Sequence, residues 1–193
     1  MTLSVPNIDQ LRKRWTADEY LAAVELGDVF QRREWLFRGE VLEMPAMGQL
    51  HMRSLMACQD WAYAKLRPHF RVRVQGPILT LNDSVPEPDV AIVTDDQNTA
   101  APHPNRAELI IEVSDSSIAL DREIAFEYAA ICPEYWLLDL RSRRLEVYRQ
   151  PEPDAASPSG FRYTSMQTIG EDGTLSPLCR PDVSASVRAL LDG

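Results

Sequence analysis

PEPDVAIV at residues 86–93 and ELIIEVS at 108–114 are the stretches that decide the fold of this 193-residue chain. Val90–Val93 and Leu109–Val113 are continuous apolar runs, β-branched or Leu-rich. Such runs belong to strands covered on both faces in the middle of a sheet. Each has a carboxylate at one end: Asp89 enters the first and Glu112 stands near the end of the second. An acid taken out of water costs several kcal/mol unless it is paired or bound to a cation. Two acids on neighbouring central strands therefore predict a cation between them. With no Cys or His cluster beside them, oxygen ligands select a hard ion, Mg²⁺ or Mn²⁺, over zinc. Pro-Asp by itself also makes turns in which the Asp caps backbone amides, so the inference rests on the pair.

Toward the N-terminus, Thr16-Ala17-Asp18-Glu19 reads as a capping box. It opens an amphipathic helix through Leu26 that Gly27 stops, with Tyr20, Leu21 and Val24 on one face. Glu34–Phe37 and Val41–Met44 flank Arg38-Gly39 as a β-hairpin, with Glu40 where its second strand begins. Apolar residues recur at helical spacing from Gln49 to about Leu66, with His51 in the first turn and Pro68 ending the helix. Arg71–Gln75 alternates as a half-exposed strand, and Pro77–Leu81 continues the pattern after a Gly-Pro break.

Toward the C-terminus, polar Thr94–Asn105, with its prolines, is a loop. A helix is expected over roughly Asp121–Ile131, a strand over Glu134–Asp139, a turn through Arg141–Arg143 and a strand over Leu145–Arg149. Pro151–Gly160 reads as a flexible loop, and Ser184–Leu191 as a short terminal helix. Tyr135, Trp136 and Tyr148 read as core residues. No repeat or composition shift splits the chain, so one α/β domain over 1–193 is expected. Its mixed central sheet would be flanked by helices, with its core at about 16–150 and late strands and a short helix at 161–191.

Composition bounds the function. The formal net charge of −9 argues against binding nucleic acid by bulk electrostatics. The basic residues are nearly all Arg, the lysines being Lys13 and Lys65, so contact with phosphate would be local and bidentate. Cys58, Cys132 and Cys179 have neither disulfide-framework nor zinc spacing and read as buried free thiols. No apolar run reaches the roughly 20 residues a membrane helix needs, and the N-terminus lacks the apolar core of a secretory signal, so a cytoplasmic location is expected.

The order of Pro-Asp and a later Glu on successive strands resembles the PD-(D/E)XK nuclease superfamily. The wider text resembles its Uma2 branch: WTADEYLAAVELG at 15–27, EWLFRGEVLEM at 34–44 followed by His51, VQGPI at 74–78 before PEPDVAIV, LIIEVSDSS at 109–117 followed by Asp121-Arg122, and PEYWLLDL at 133–140. That resemblance implies a restriction-endonuclease-like αβββαβ core and Mg²⁺-dependent hydrolysis of phosphodiester bonds, with DNA as the substrate class. Asp89, Glu112 and the Val113 carbonyl would hold the metal. Glu40, His51 and Gln75 match the family's polar positions, and Arg122 is a candidate for positive charge near the phosphate. A homodimer is expected from the resemblance and from the commonness of two-fold dimers.

The superfamily places a lysine two residues after the Glu, and Uma2-like sequences place one four residues after the Asp-Arg pair. Here those positions are Ser114 and Ala125. Arg122 stays protonated and cannot shuttle a proton as a shifted lysine can, and Lys65 reads as a solvated surface residue. The alternative is therefore a weak or inactive nuclease-fold protein that binds nucleic acid or protein.

Overall fold

A computed structural model of the chain describes residues 12–27, 34–44, 46–81 and 83–193. Helix α1 (Ala17–Glu25) begins at the predicted capping box, in which the Thr16 side chain accepts from the Glu19 N–H and the Glu19 carboxylate accepts from the Thr16 N–H. It buries Tyr20, Leu21 and Ala23, whereas Val24 remains 44 % exposed. Strands β1 (Glu34–Phe37) and β2 (Glu40–Glu43) form the hairpin, in register Phe37↔Glu40. Its turn residues Arg38 and Gly39 have φ of 48° and 78°, the left-handed pair that a two-residue hairpin turn demands. Gly39 is required twice over, because a Cβ there would stand 2.9 Å from the Cβ of Arg14.

The main sheet has six strands in the order β3-β4-β5-β6-β7-β8. They are β3 (Arg71–Val74), β4 (Val90–Val93), β5 (Leu109–Ser114), β6 (Glu134–Asp139), β7 (Arg144–Pro153) and β8 (Phe161–Gly170). The two runs that open the argument are neighbours, antiparallel with Val90 opposite Ile111. Strands β5 and β6 are parallel, as the intervening helix α4 (Ile118–Ala129) requires, and the other pairings are antiparallel. Helix α2 (Gln49–Leu66) covers one face of the sheet, where Leu55, Cys58 and Leu66 pack on Val90, Ile92, Leu109, Ile111 and Trp136. Helix α4 covers the other, where Ile124 and Tyr128 pack on Ala91, Val93, Ile110, Tyr135 and Leu137. Alternate residues of β4 and β5 thus enter opposite cores, which is why both strands are apolar on both faces apart from Glu112 and Ser114. A short helix α3 (Asp95–Asn98) lies in the predicted 94–105 loop. The strand pair β9 (Thr174–Leu175) and β10 (Ala185–Ser186) leads into α5 (Val187–Asp192), which packs against α2.

Two local expectations change. Residues 77–81 form no strand, because their amides bond separately: Ile78 to Pro86, Leu79 to Pro104 and Thr80 to Ser84. The expected 151–160 loop is shorter, since β7 runs on to Pro153 and Asp154 and Gly160 close a compact turn through a 2.8 Å bond. Prolines are tolerated there because β6 pairs with β7 only as far as Arg149, leaving Pro151 and Pro153 without a neighbour on that side.

Candidate active site

Side chains of one strand alternate between faces, so Glu112 points to the α4 side while Ile111 and Val113 enter the α2 core. Asp89 immediately precedes β4, one step beyond the Val90–Ile111 pair. The geometry brings the two acids together. Glu112 Oε2 accepts the Asp89 backbone N–H at 3.0 Å, and Asp89 Oδ2 accepts the Val113 N–H at 2.9 Å. The N–H and C=O of one strand residue face the same neighbour, so the Val113 carbonyl lies on the strand edge that meets Asp89. Asp89 is only 6 % exposed, and both acids line a cavity of about 190 Å³ at the end of the sheet.

His51 and Gln75 reach the same place from other elements. The His51 side chain, in the first turn of α2, puts Nε2 3.2 Å from the Asp89 carboxylate. Gln75 donates from Nε2 to Asp89 Oδ1 at 3.4 Å. Its backbone N–H bonds to the carbonyls of Pro88 and Asp89, holding it in a left-handed conformation with φ of 47°.

Two cavity residues escaped the sequence reading. Asp121 accepts from Ser117 Oγ at 2.7 Å, and Tyr128 donates its hydroxyl to Glu112 Oε1 at 2.8 Å. Asp121, Ile124 and Tyr128 are spaced i, i+3, i+7 on α4 and share the face that lines the cavity. That spacing is visible in the sequence, where Arg122 stands next to Asp121 as the candidate cation. Arg122 lies a helical step around from Asp121 and outside the cavity lining. Its guanidinium grips Glu146 with Nε at 3.0 Å and Nη2 at 2.5 Å, and this bond chiefly pushes its pKa up. Glu40 is also placed apart: it is exposed at the start of β2 and faces Arg14 at 3.3 Å.

Neither lysine approaches the acids. Lys13 pairs with Glu19, and Lys65 is exposed in the last turn of α2, about 20 Å along the helix from His51 at 1.5 Å per residue. Ser114 is 1 % exposed with its Oγ 3.5 Å from Ser117 Oγ, and Ala125 is packed in the α4 core.

The cavity is electrostatically short of positive charge. Burial, then the charges of Asp89 and Asp121, hold the Glu112 carboxyl well above its ordinary range, against the opposing hydrogen bonds from the Asp89 amide and Tyr128. Burial also raises Asp121, with the Asp89 charge adding to it and the serine hydroxyls opposing it. For His51 burial acts downward, but the hydrogen bond and charge of Asp89, with Asp121 and Asp115 behind it, lift the imidazole pKa above normal. Among the described residues no group of three or more His, Cys, Asp or Glu side chains is arranged to hold a metal ion.

The comparisons agree with this architecture. The crystal structure described as a putative nuclease belonging to DUF820 from Anabaena variabilis superposes with a TM-score of 0.69 at 14 % identity, covering 92 % of this chain and 97 % of that one. That likeness establishes a shared fold. No curated protein matches the chain. The Uma2 family profile, described as "Putative restriction endonuclease", matches residues 19–188, and the chain therefore belongs to the Uma2 family.

Proposed function

We propose that this chain is a Mg²⁺- or Mn²⁺-dependent phosphodiester hydrolase acting on DNA, with Asp89, Glu112 and the Val113 carbonyl holding the ion. The observation that carries the reading is the convergence of Asp89 and Glu112 from adjacent strands onto one cavity in a chain of this family. The donor set fits such an ion. It is all oxygen, and Mg²⁺ completes its octahedron with water instead of requiring a full protein cage, so two acids and a carbonyl suffice. Burial first and then the charges of Asp89 and Asp121 raise the Glu112 carboxyl, and a bound cation would offset both.

A divalent ion bound there would supply a water of lowered pKa and neutralise charge on the scissile phosphate. The chain's own groups orient the acids: Tyr128 fixes one oxygen of Glu112, the Val113 N–H fixes one of Asp89, and Gln75 and His51 hold the other side of Asp89. His51 Nε2 donates to Asp89 in its protonated state. The absence of lysine from the cavity favours a second reading, a weakly active or inactive member that binds nucleic acid or protein. Calorimetric Mn²⁺ titration of the wild type, Asp89→Asn and Glu112→Gln, alongside DNA cleavage assays, separates these. Metal binding lost in both variants, with metal-dependent cleavage by the wild type, supports hydrolysis. Equal Mn²⁺ affinity in all three proteins removes the acids as ligands and ends the nuclease reading.

A further inference from the structure

The cavity that holds the acids is also lined by apolar side chains: β1 contributes Trp35, the segment after β2 contributes Met44 and Met47, and α4 contributes Leu120. Leu120 is 38 % exposed, an apolar side chain open to solvent in the same cavity as the acids. The acids are recessed: residues 46–48, 86–87 and 115–117, with Leu120, Asp121 and Ile124, line the cavity with them, and Asp89 is 6 % exposed. A phosphodiester that reaches Asp89 and Glu112 brings its neighbouring nucleoside against these side chains.

Charge points the same way. The cavity lining includes no Lys or Arg and does include Glu87 and Asp115, in a chain of net charge −9. Duplex binding draws on neutralising phosphates with basic side chains, whereas single strands also gain from stacking of bases on apolar and aromatic groups. We infer that the site takes an unpaired nucleotide, with its base against Met44, Met47 and Leu120 and its phosphate toward Asp89 and Glu112. The substrate class is then single-stranded or locally opened nucleic acid. This rests on the metal-site reading above and narrows it.

The test is fluorescence anisotropy of the full chain in Ca²⁺, with a short labelled single strand and the same strand annealed as a blunt duplex, at one fixed salt concentration. The single strand should bind about tenfold tighter or more, the scale of one base–side-chain stack. Leu120→Ser should weaken single-strand binding about fivefold and leave Mn²⁺ titration unchanged. Leu120 is exposed enough for its variant to fold, which a melting curve checks. Equal affinity for both probes, no binding of either, or a Leu120→Ser variant that binds the single strand like wild type would overturn the inference while the metal site stands. Absence of Mn²⁺ binding would instead overturn the hydrolase reading.

Discussion

Tyr128, fully buried on α4, donates its hydroxyl to Oε1 of Glu112 at 2.8 Å and so joins the helix on one face of the sheet to the acid at its centre. Removing the donor in Tyr128→Phe should raise the Glu112 pKa further, since this bond is one of the groups holding it down. A hydrogen bond to a charged group is worth about 1.5–3 kcal/mol, so Mn²⁺ affinity at neutral pH should fall about tenfold and recover as pH rises. A purely structural tyrosine would leave the pH dependence of Mn²⁺ binding where it was.

Glu112→Gln should change how stability depends on pH. The folded carboxyl sits above its ordinary value of 4.5, chiefly through burial, so the folded state holds the proton longer than the unfolded one. Its contribution is therefore full below about pH 4.3 and is lost as pH climbs through the raised folded value. The variant lacks this loss, and its melting temperature relative to wild type should rise from pH 4 to pH 8. A constant offset across that range would show that Glu112 does not titrate as its surroundings imply.

Ala125→Lys would restore the family's lysine on the α4 face that already carries Asp121 and Tyr128, one turn from Asp121. If general acid–base chemistry is what this member lacks, metal-dependent cleavage should rise at least about tenfold, a modest part of what such a group contributes. Ala125 is 5 % exposed, so the added ammonium should also cost stability, read by urea denaturation. A folded variant with unchanged cleavage would show that position 125 does not serve the site.

Glu134 is a structural acid outside the cavity. With no exposed surface, it accepts from Arg149 Nη2 at 2.5 Å, Trp136 Nε1 at 2.8 Å and the Leu178 N–H at 2.6 Å, tying β6, β7 and the segment before β10 together. Glu134→Ala leaves Arg149 without its carboxylate, and such a break costs about 3–5 kcal/mol. Chemical denaturation should show that loss with Mn²⁺ affinity retained. A change below about 1 kcal/mol would mean that other groups already satisfy Arg149.

Much of the frame was legible because it follows from local chemistry. The Thr16 capping box, the Arg38-Gly39 turn and the unbroken runs 90–93 and 109–113 are each fixed by neighbours within a few residues, and the structure contains all of them. The sheet pattern also pointed to Glu112, since an acid inside a strand covered on both faces stands out from composition alone. Where segments meet at long range the residues alone do not show the site: His51 and Gln75 stand out only through the family resemblance, and Asp121 is not singled out as a site residue. They reach Asp89 and Glu112 from α2, the end of β3 and α4, and only the packing of those elements brings them to one cavity. The same packing directs Arg122 to Glu146 and leaves Glu40 beside Arg14, although in sequence both stood beside the motifs of the site. The 77–81 and 151–153 segments show the other limit: whether a proline breaks a strand depends on whether a neighbour needs its missing N–H, and that neighbour is a tertiary fact.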